Sequence, residues 1–132
     1  MAGRRSARRS ALVLLYQWDL TGEPIGTLYG SAVDPFALET ADAVSARAAA
    51  LDRRIDEAAQ GWTADRLGAV ERNILRIAIH ELEGEEVPME VAIDEAVRLT
   101  KRYASDEASR LVNGILGRIA REAGAPAGEG RT

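Results

Sequence analysis

Cysteine is absent from the 132 residues of this sequence. Its absence excludes disulfides, thiol nucleophiles and every metal site that requires thiolate ligands. A single histidine, His80, leaves too few nitrogen ligands for a transition-metal centre. Phe, Tyr and Trp together make up only 5% of the chain, so the residues that favour strands are scarce and good helix formers dominate.

Long apolar runs are also missing, since none approaches the ~18 residues that a membrane span needs. The N-terminus is basic, but the apolar run from Leu12 to Leu15 is too short for the apolar region of a signal peptide. Together with the lack of cysteine, these absences predict a cytoplasmic protein without a membrane segment.

The length fits one domain. We expect residues 1–122 to form a single helical domain, with residues 1–5 as a flexible basic arm. Residues 123–132 are rich in Gly, Ala and Pro and are expected to be a disordered tail.

Helical periodicity runs through most of the chain, and no strand-length alternation interrupts it. The segment from Leu67 to Leu82 is apolar on more than half its circumference, which predicts a central helix packed on several sides. The pattern therefore predicts an all-α protein, a compact helical bundle. The expected helices run from Ser6 to about Leu20, from Asp34-Pro35 to about Gln60 with one break near Ala48–Leu51, from Leu67 to Leu82, from Glu90 to Tyr103, and from Ser105 or Asp106 towards Ala123.

Signatures of catalysis are missing as well. The sequence holds neither a GxSxG nucleophile elbow nor a GxxxxGK[ST] phosphate loop. The pair Glu85-Glu86 lies in a Gly/Pro loop and is interpreted as a solvated turn. His80, next to Ile79, is interpreted as a histidine of the core or its rim. We therefore expect no enzyme, no cofactor and no metal site.

Positive charge is concentrated at the N-terminus, although the net charge is −4 and no acid precedes Asp19. The residues responsible are Arg4, Arg5, Arg8 and Arg9. On a helix, arginines four apart lie on one surface and repel, unless an anion relieves them. The guanidinium fork suits phosphate. The alternatives are a solvated arm without a ligand and a genome biased towards arginine, since Lys101 is the only lysine.

A second cationic cluster lies further along the chain and comprises Arg98, Lys101, Arg102 and, later, Arg110. Tyr103 lies beside it and could stack on a base or simply pack. The cluster is thus a second candidate for phosphate contacts.

Asn113-Gly114 is unusual because this dipeptide normally indicates a turn, yet it lies within a clear helical stripe. Either Gly114 is a tolerated defect, or it permits a close helix contact while Asn113 bonds a neighbour or a ligand.

Four ordered blocks between residues 4 and 119 resemble the NusB family. They are Arg4-Arg5-Ser6-Ala7-Arg8 with Leu15-Tyr16-Gln17-Trp18-Asp19-Leu20, Val70-Glu71-Arg72-Asn73-Ile74-Leu75-Arg76-Ile77-Ala78, Val91-Ala92-Ile93-Asp94-Glu95-Ala96-Val97-Arg98-Leu99, and Leu111-Val112-Asn113-Gly114-Ile115-Leu116. The resemblance implies two packed bundles of about six to seven helices. It also implies binding of boxA RNA jointly with NusE, a small-subunit ribosomal protein, in an RNA polymerase antitermination complex that acts on ribosomal RNA operons.

The resemblance also implies roles for particular residues. Those expected to contact RNA are Arg4, Arg5, Arg8, Tyr16, Arg76, Lys101 and Arg102, to which we add Arg9 from its charge alone. Those expected to contact the partner protein are Tyr16, Glu71, Tyr103 and Glu107.

Two departures from the family pattern stand out. His80 replaces the usual tyrosine, and residues 22–50 match little beyond their helical character, so the family's second helix is expected to be short or absent. Two other readings remain open. One is the NusB-like domain that precedes some RNA cytosine methyltransferases, although this chain carries no methyltransferase half. The other is a non-enzymatic protein scaffold or homodimer with a basic arm.

Overall fold

The computed structural model describes residues 2–27, 34–84 and 86–124, which form six α-helices and no strand. Two single 3₁₀ turns, Ile25–Thr27 and Ala64–Arg66, lie between them. The predicted all-α fold is therefore confirmed. The helices are α1 (Ala2–Thr21), α2 (Pro35–Ala46), α3 (Ala48–Ala58), α4 (Ala69–Gly84), α5 (Met89–Tyr103) and α6 (Asp106–Gly124).

Local signals set several of the helix ends as predicted. Asp34 Oδ1 accepts a hydrogen bond from the Phe36 amide at 2.9 Å, with Pro35 in the first turn of α2. Ser105 Oγ accepts one from the Ala108 amide at 2.9 Å at the start of α6. Gly22 follows the end of α1 and has a φ of 75°. A residue without Cβ tolerates this left-handed conformation, which ends the helix.

Thr63, which precedes the second 3₁₀ turn, makes no side-chain capping bond. Its hydroxyl donates to Asp65 Oδ1, and the Ala64 amide is instead satisfied by Asp56 Oδ1 at 2.7 Å. The break between α2 and α3 falls at Arg47, just before the predicted position.

The first helix begins at Ala2, so residues 2–5 belong to α1, where the sequence predicted a flexible arm. Arginine is a good helix former, and Arg5 Nε donates to Glu95 Oε2 at 2.9 Å, which ties the first turns of α1 to α5. This tertiary contact was not visible in the sequence. The tail from residue 125 onward and residues 28–33 of the predicted loop lie outside the described residues.

Helix α4 is the centre of the molecule, since it packs against each of the other five helices. Helices α1–α3 form one group on it, and α5 and α6 pack together on it as the other. Leu75, Ile115 and Leu116 are buried, as the helical stripes predicted. Among the described residues, no helix combines the length and apolar character that a bilayer crossing requires.

Helix α2 is present with 12 residues, so a second helix is not absent from this chain. Its small apolar side chains Ala37, Ala41 and Val44 lie one turn apart and are buried. Small residues at this spacing let α2 lie close against α1, which it contacts along its length.

A polar network, here called the Asp19 network, connects the ends of three helices. Asp19 of α1 accepts hydrogen bonds from Arg72 Nε and Asn73 Nδ2, both at 2.9 Å, and from Arg76 at 3.2 Å. The Arg76 guanidinium also donates to both carboxylate oxygens of Asp52 on α3, at 2.8 and 2.7 Å. Asn73 is fully buried and Arg76 is 5% exposed. The network thus satisfies a buried charge by binding α1 and α3 to α4.

The charge of Asp19 is maintained by its partners. Burial on its own would raise the pKa of Asp19, but hydrogen bonds from Arg72 and Asn73 and the charges of Arg76 and Arg72 outweigh it. The pKa therefore lies below its ordinary value of 3.8. A lowered carboxylate pKa stabilises the fold above about pH 4, and that stability is lost as the pH falls through the folded-state pKa.

We predict that Asp19→Asn lowers the free energy of unfolding by about 3 kcal/mol at pH 7, because it removes the acidic partner of Arg72 and one of the two acidic partners of Arg76. The difference from the parent should shrink below about pH 4, where Asp19 itself becomes protonated. Urea melts across this pH range measure it, with the exposed Asp42→Asn as the matched control. A loss that stays constant with pH would contradict the role of charge.

Candidate RNA and partner interface

A groove of about 450 Å³ opens between α1 and the end of α5, with Val70 of α4 at its base. We call it the α1–α5 groove. It brings together Arg9, Tyr16 and Tyr103, three residues that the sequence assigned to an interface. Its lining residues are Arg9, Ser10, Leu12, Val13, Tyr16, Gln17, Val70 and Tyr103.

Large apolar side chains remain exposed in and beside this groove. Tyr16 is 39% exposed, Tyr103 45% and Val13 55%, and Leu20 further along α1 is 61% exposed. Single exposed apolar residues are ordinary, but a contiguous group in a concave surface is typical of a binding site. Two of the four, Val13 and Leu20, were not identified from the sequence. Their outward direction becomes visible only once the buried face of α1 is known.

Positive charge borders the groove at the end of α5. The Arg102 guanidinium lies 5.5 Å from the centre of the Tyr103 ring, and its Nε donates to the Tyr103 hydroxyl at 3.2 Å. Lys101 is exposed and has no acidic partner among the described residues. A cation held beside an aromatic ring can contact a phosphate while the ring stacks on a base.

The N-terminal arginines have different environments, although the sequence treated them as one cluster. Arg9 is exposed on the wall of the groove, with no acidic partner in the described part of the chain. Arg5 pairs with Glu95 at 2.9 Å but keeps 58% of its side chain exposed. The side chain of Arg4 lies outside the described residues.

Arg8 is buried, which corrects its place in the predicted surface. Its side chain is 7% exposed, and its Nε lies 2.8 Å from Glu81 Oε2 on α4. Helical periodicity explains the difference, because Arg8 lies one turn before Leu12 on the buried face of α1. This placement makes Arg8 an anchor of α1 on α4, and a phosphate would have to displace Glu81 to reach it.

Arg76 likewise belongs to the Asp19 network rather than to the surface. Its guanidinium also lies 5.5 Å from the centre of the Trp18 ring. The expected RNA contact by Arg76 would require this buried, fully paired group to leave Asp19 and Asp52, so the geometry argues against it. The resemblance did not indicate the direction of this side chain.

Glu71 lies half-buried in the first turn of α4, next to Val70 of the groove. Its side chain folds back over Gly68, so that a Cβ on Gly68 would come within 2.5 Å of Glu71 Oε1. The carboxylate therefore lies at the positive end of the helix dipole, close to the apolar lining. Glu107 is exposed in the first turn of α6, beyond the end of α5.

His80 occupies the rim position that the sequence predicted. Its Nδ1 lies 3.3 Å from Arg47 NH1, so a neutral ring can accept that hydrogen bond. Burial, and then the charge of Arg47, lower the pKa of His80 below 6.5, against the opposing effect of Glu81 and Glu83. This arrangement gives the ring a structural partner.

Comparisons with known proteins agree with this arrangement of helices. Residues 5–121 match the model of the NusB family. The chain belongs to the NusB family.

Individual relatives in the family extend the match over nearly the whole chain. The transcription antitermination protein NusB of Saccharopolyspora erythraea is 39% identical over 130 residues, 91% of this chain and 88% of the relative. NusB of T. maritima has a solved structure with a TM-score of 0.77 and 32% identity, covering 90% of this chain and 91% of that one. A chain from a crystal structure of NusB and NusE in complex with double-stranded RNA has a TM-score of 0.78 and 30% identity, covering 92% and 98%.

Burial and pairing separate two neighbouring arginines, Arg8 and Arg9. We predict that Arg8→Gln lowers the free energy of unfolding by about 3 kcal/mol, because it leaves the largely buried carboxylate of Glu81 without its partner. Arg9→Gln, the matched control one residue away, should change it by no more than about 0.5 kcal/mol. Thermal and urea melts of both variants measure this. Equal stabilities for the two would show that the Arg8–Glu81 pair does not anchor α1.

Proposed function

We propose that this chain is a non-enzymatic transcription antitermination factor of the cytoplasm. In this role it binds boxA-type RNA together with NusE, as part of an RNA polymerase antitermination complex that supports ribosomal RNA transcription. The antitermination role is that of its named relatives. RNA and NusE as partners are supported by the related NusB that was crystallised with both.

The observation that carries the proposal is the composition of the α1–α5 groove. Apolar and aromatic side chains line it, while Arg9 on one side and Arg102 on the other place positive charge at its edges. Aromatic rings between cations suit single-stranded RNA, because the bases stack on the rings while the phosphates contact the cations. The exposed part of Arg5 and the side chain of Lys101 extend the positive surface at the ends of α1 and α5.

NusE is assigned to the apolar side of the same surface. Tyr16 and Tyr103 supply the rigid aromatic area that interfaces favour, and Glu71 supplies a carboxylate near the base of the groove. Glu107 lies at the far edge, at the start of α6. A ribosomal protein is expected to be basic, so these acids offer complementary charge.

A homodimer is the second candidate, because the same exposed apolar side chains would be covered equally well by a second copy of the chain. In that arrangement the groove would be occupied before RNA arrives. RNA binding that weakens as the protein concentration rises would favour this alternative.

The direct test is a titration of single-stranded boxA-type RNA, with and without NusE, at several salt concentrations. Each phosphate contact contributes about 0.7 to the slope of log K against log salt. The double variant Arg9→Gln/Arg102→Gln should therefore lose about 1.4 from the slope and bind more weakly. Both substitutions leave the buried arginines Arg8, Arg72 and Arg76 intact, so the loss of RNA binding would not result from unfolding. An unchanged slope would contradict the proposed RNA surface.

Glu71 tests the NusE side of the proposal. An interfacial carboxylate that loses its cationic partner costs about 2–5 kcal/mol of binding, whereas its effect on the helix dipole is only about 0.3–1 kcal/mol. We predict that Glu71→Gln weakens NusE binding at least tenfold in a calorimetric titration, with little change in melting temperature.

The matched control is Glu90→Gln, since Glu90 is exposed in the first turn of α5, as the second residue of that helix, while Glu71 is the third residue of α4. It should bind NusE as the parent does. If Glu71→Gln binds NusE as tightly as Glu90→Gln does, the Glu71 carboxylate stabilises only helix α4 and does not contact NusE.

A further inference from the structure

A second groove, of about 350 Å³, lies between the C-terminal end of α3 and the middle of α6, away from Tyr16 and Tyr103. We call it the α3–α6 groove. Three of its nine lining residues are arginines, and none is an aspartate or glutamate. The lining residues are Ala58, Ala59, Gln60, Arg110, Leu111, Gly114, Ile115, Arg118 and Arg121.

The three arginines form one row along α6. Arg110, Arg118 and Arg121 are separated by eight and three residues, and this spacing places them on one face of a helix with Gly114 between the first two. The row extends about 16 Å along the helix axis. It is thus an extended positive strip, not a single point of charge.

The positive charge of this row is largely unneutralised. Arg110 and Arg121 are exposed and have no acidic partner among the described residues. Arg118 lies 3.3 Å from Glu122, four residues along the same helix. An exposed pair of this kind contributes little free energy, so an incoming phosphate can compete with Glu122.

Gly114 provides an independent observation. A glycine inside a helix costs about 1 kcal/mol relative to alanine, and helix packing does not require it here, since a Cβ on Gly114 would meet nothing within 4 Å. Of the two alternatives that the sequence left open for this residue, the close helix contact is therefore wrong. Instead, the missing side chain leaves bare backbone in the groove, between Arg110 and Arg118.

The groove also lies close along the chain to the proposed RNA surface. Helix α5 ends at Tyr103 and α6 begins at Asp106, so Arg110 lies just over one helical turn beyond that short connection. The exposed acids Asp106 and Glu107 in the first turn of α6 separate Lys101 and Arg102 from Arg110. A strand that leaves the α1–α5 groove at Tyr103 and passes these two acids would reach the row at Arg110.

We propose that the α3–α6 groove is a second phosphate-contact site, which holds single-stranded RNA flanking the segment in the α1–α5 groove. The arginine forks would bind successive phosphates bidentately, and bare backbone at Gly114 would let the strand lie close to the helix. This inference rests on the proposed function, because it extends the same RNA along the surface.

The test compares a minimal boxA-type RNA with the same RNA extended at its 5′ end and, separately, at its 3′ end, by filter binding at several salt concentrations. One extended RNA should bind the parent protein more tightly than the minimal RNA and with a steeper slope. Arg118→Gln/Arg121→Gln should remove that gain and lower the slope for the extended RNA by about 1.4, at 0.7 per contact. It should leave the minimal RNA unaffected.

Two further variants exclude other causes. Gly114→Leu fills the groove without a change of charge and should therefore abolish the gain in affinity for the extended RNA. Because leucine favours helix, this variant should remain folded. The control Arg53→Gln/Arg66→Gln removes two charges that lie outside both grooves and should retain the gain. Thermal melts verify that each variant is folded.

The outcomes separate this inference from the proposed function. If the parent binds the minimal RNA but gains nothing from either extension, the α3–α6 groove is not an RNA site, while the proposed function stands. If the control variant loses the gain as fully as Arg118→Gln/Arg121→Gln, net charge is responsible and the site is refuted. If even the minimal RNA shows no salt-dependent binding, the proposed function fails and this inference fails with it.

Discussion

The buried guanidinium of Arg76 is the constraint on which the interface depends. It is 5% exposed and donates to Asp19 at one end of α1 and to Asp52 on α3. A buried charge is tolerated only while its partners stay in place, so Arg76 fixes the position of α1 across α4. Since α1 forms one wall of the α1–α5 groove, the ion pairs of Arg76 help to hold that wall in place.

Arginine consequently performs two opposite functions in this chain. Arg8, Arg72 and Arg76 are turned inward and are matched by carboxylates on other helices. Arg9, Arg102, Arg110 and Arg121 are turned outward and have no carboxylate partner among the described residues. Lysine would serve the inward set less well, because the planar fork of arginine satisfies two acceptors at once, as Arg76 does with Asp52. The net charge of −4 conceals this division, which depends only on the face of the helix that each arginine occupies.

Much of the fold was predictable because its signals are local. Asp34-Pro35, Gly22 and Ser105 fix helix ends through bonds to their immediate neighbours, and the stripe on α4 reflects burial on several sides. The ion pairs were not predictable, because Arg5 and Glu95, or Arg8 and Glu81, are brought together only by the fold. For the same reason, the sequence could predict only part of the candidate site. Arg9, Tyr16 and Tyr103 meet in one groove, whereas Arg8 and Arg76 point away from it. A positive charge in a motif does not indicate whether an acid from another helix will neutralise it.

The division between inward and outward arginines can be observed directly through the Nε–H signals in the ¹⁵N NMR spectrum of the labelled protein during a titration with boxA-type RNA. Each outward arginine that meets a phosphate should shift, Arg9 and Arg102 first. The signals of Arg8, Arg72 and Arg76 should stay in place and exchange slowly with solvent, because their Nε–H groups already bind Glu81, Asp19 and Asp52. Shifts of Arg8 and Arg76 as large as that of Arg9, at RNA concentrations that leave the protein folded, would contradict this account.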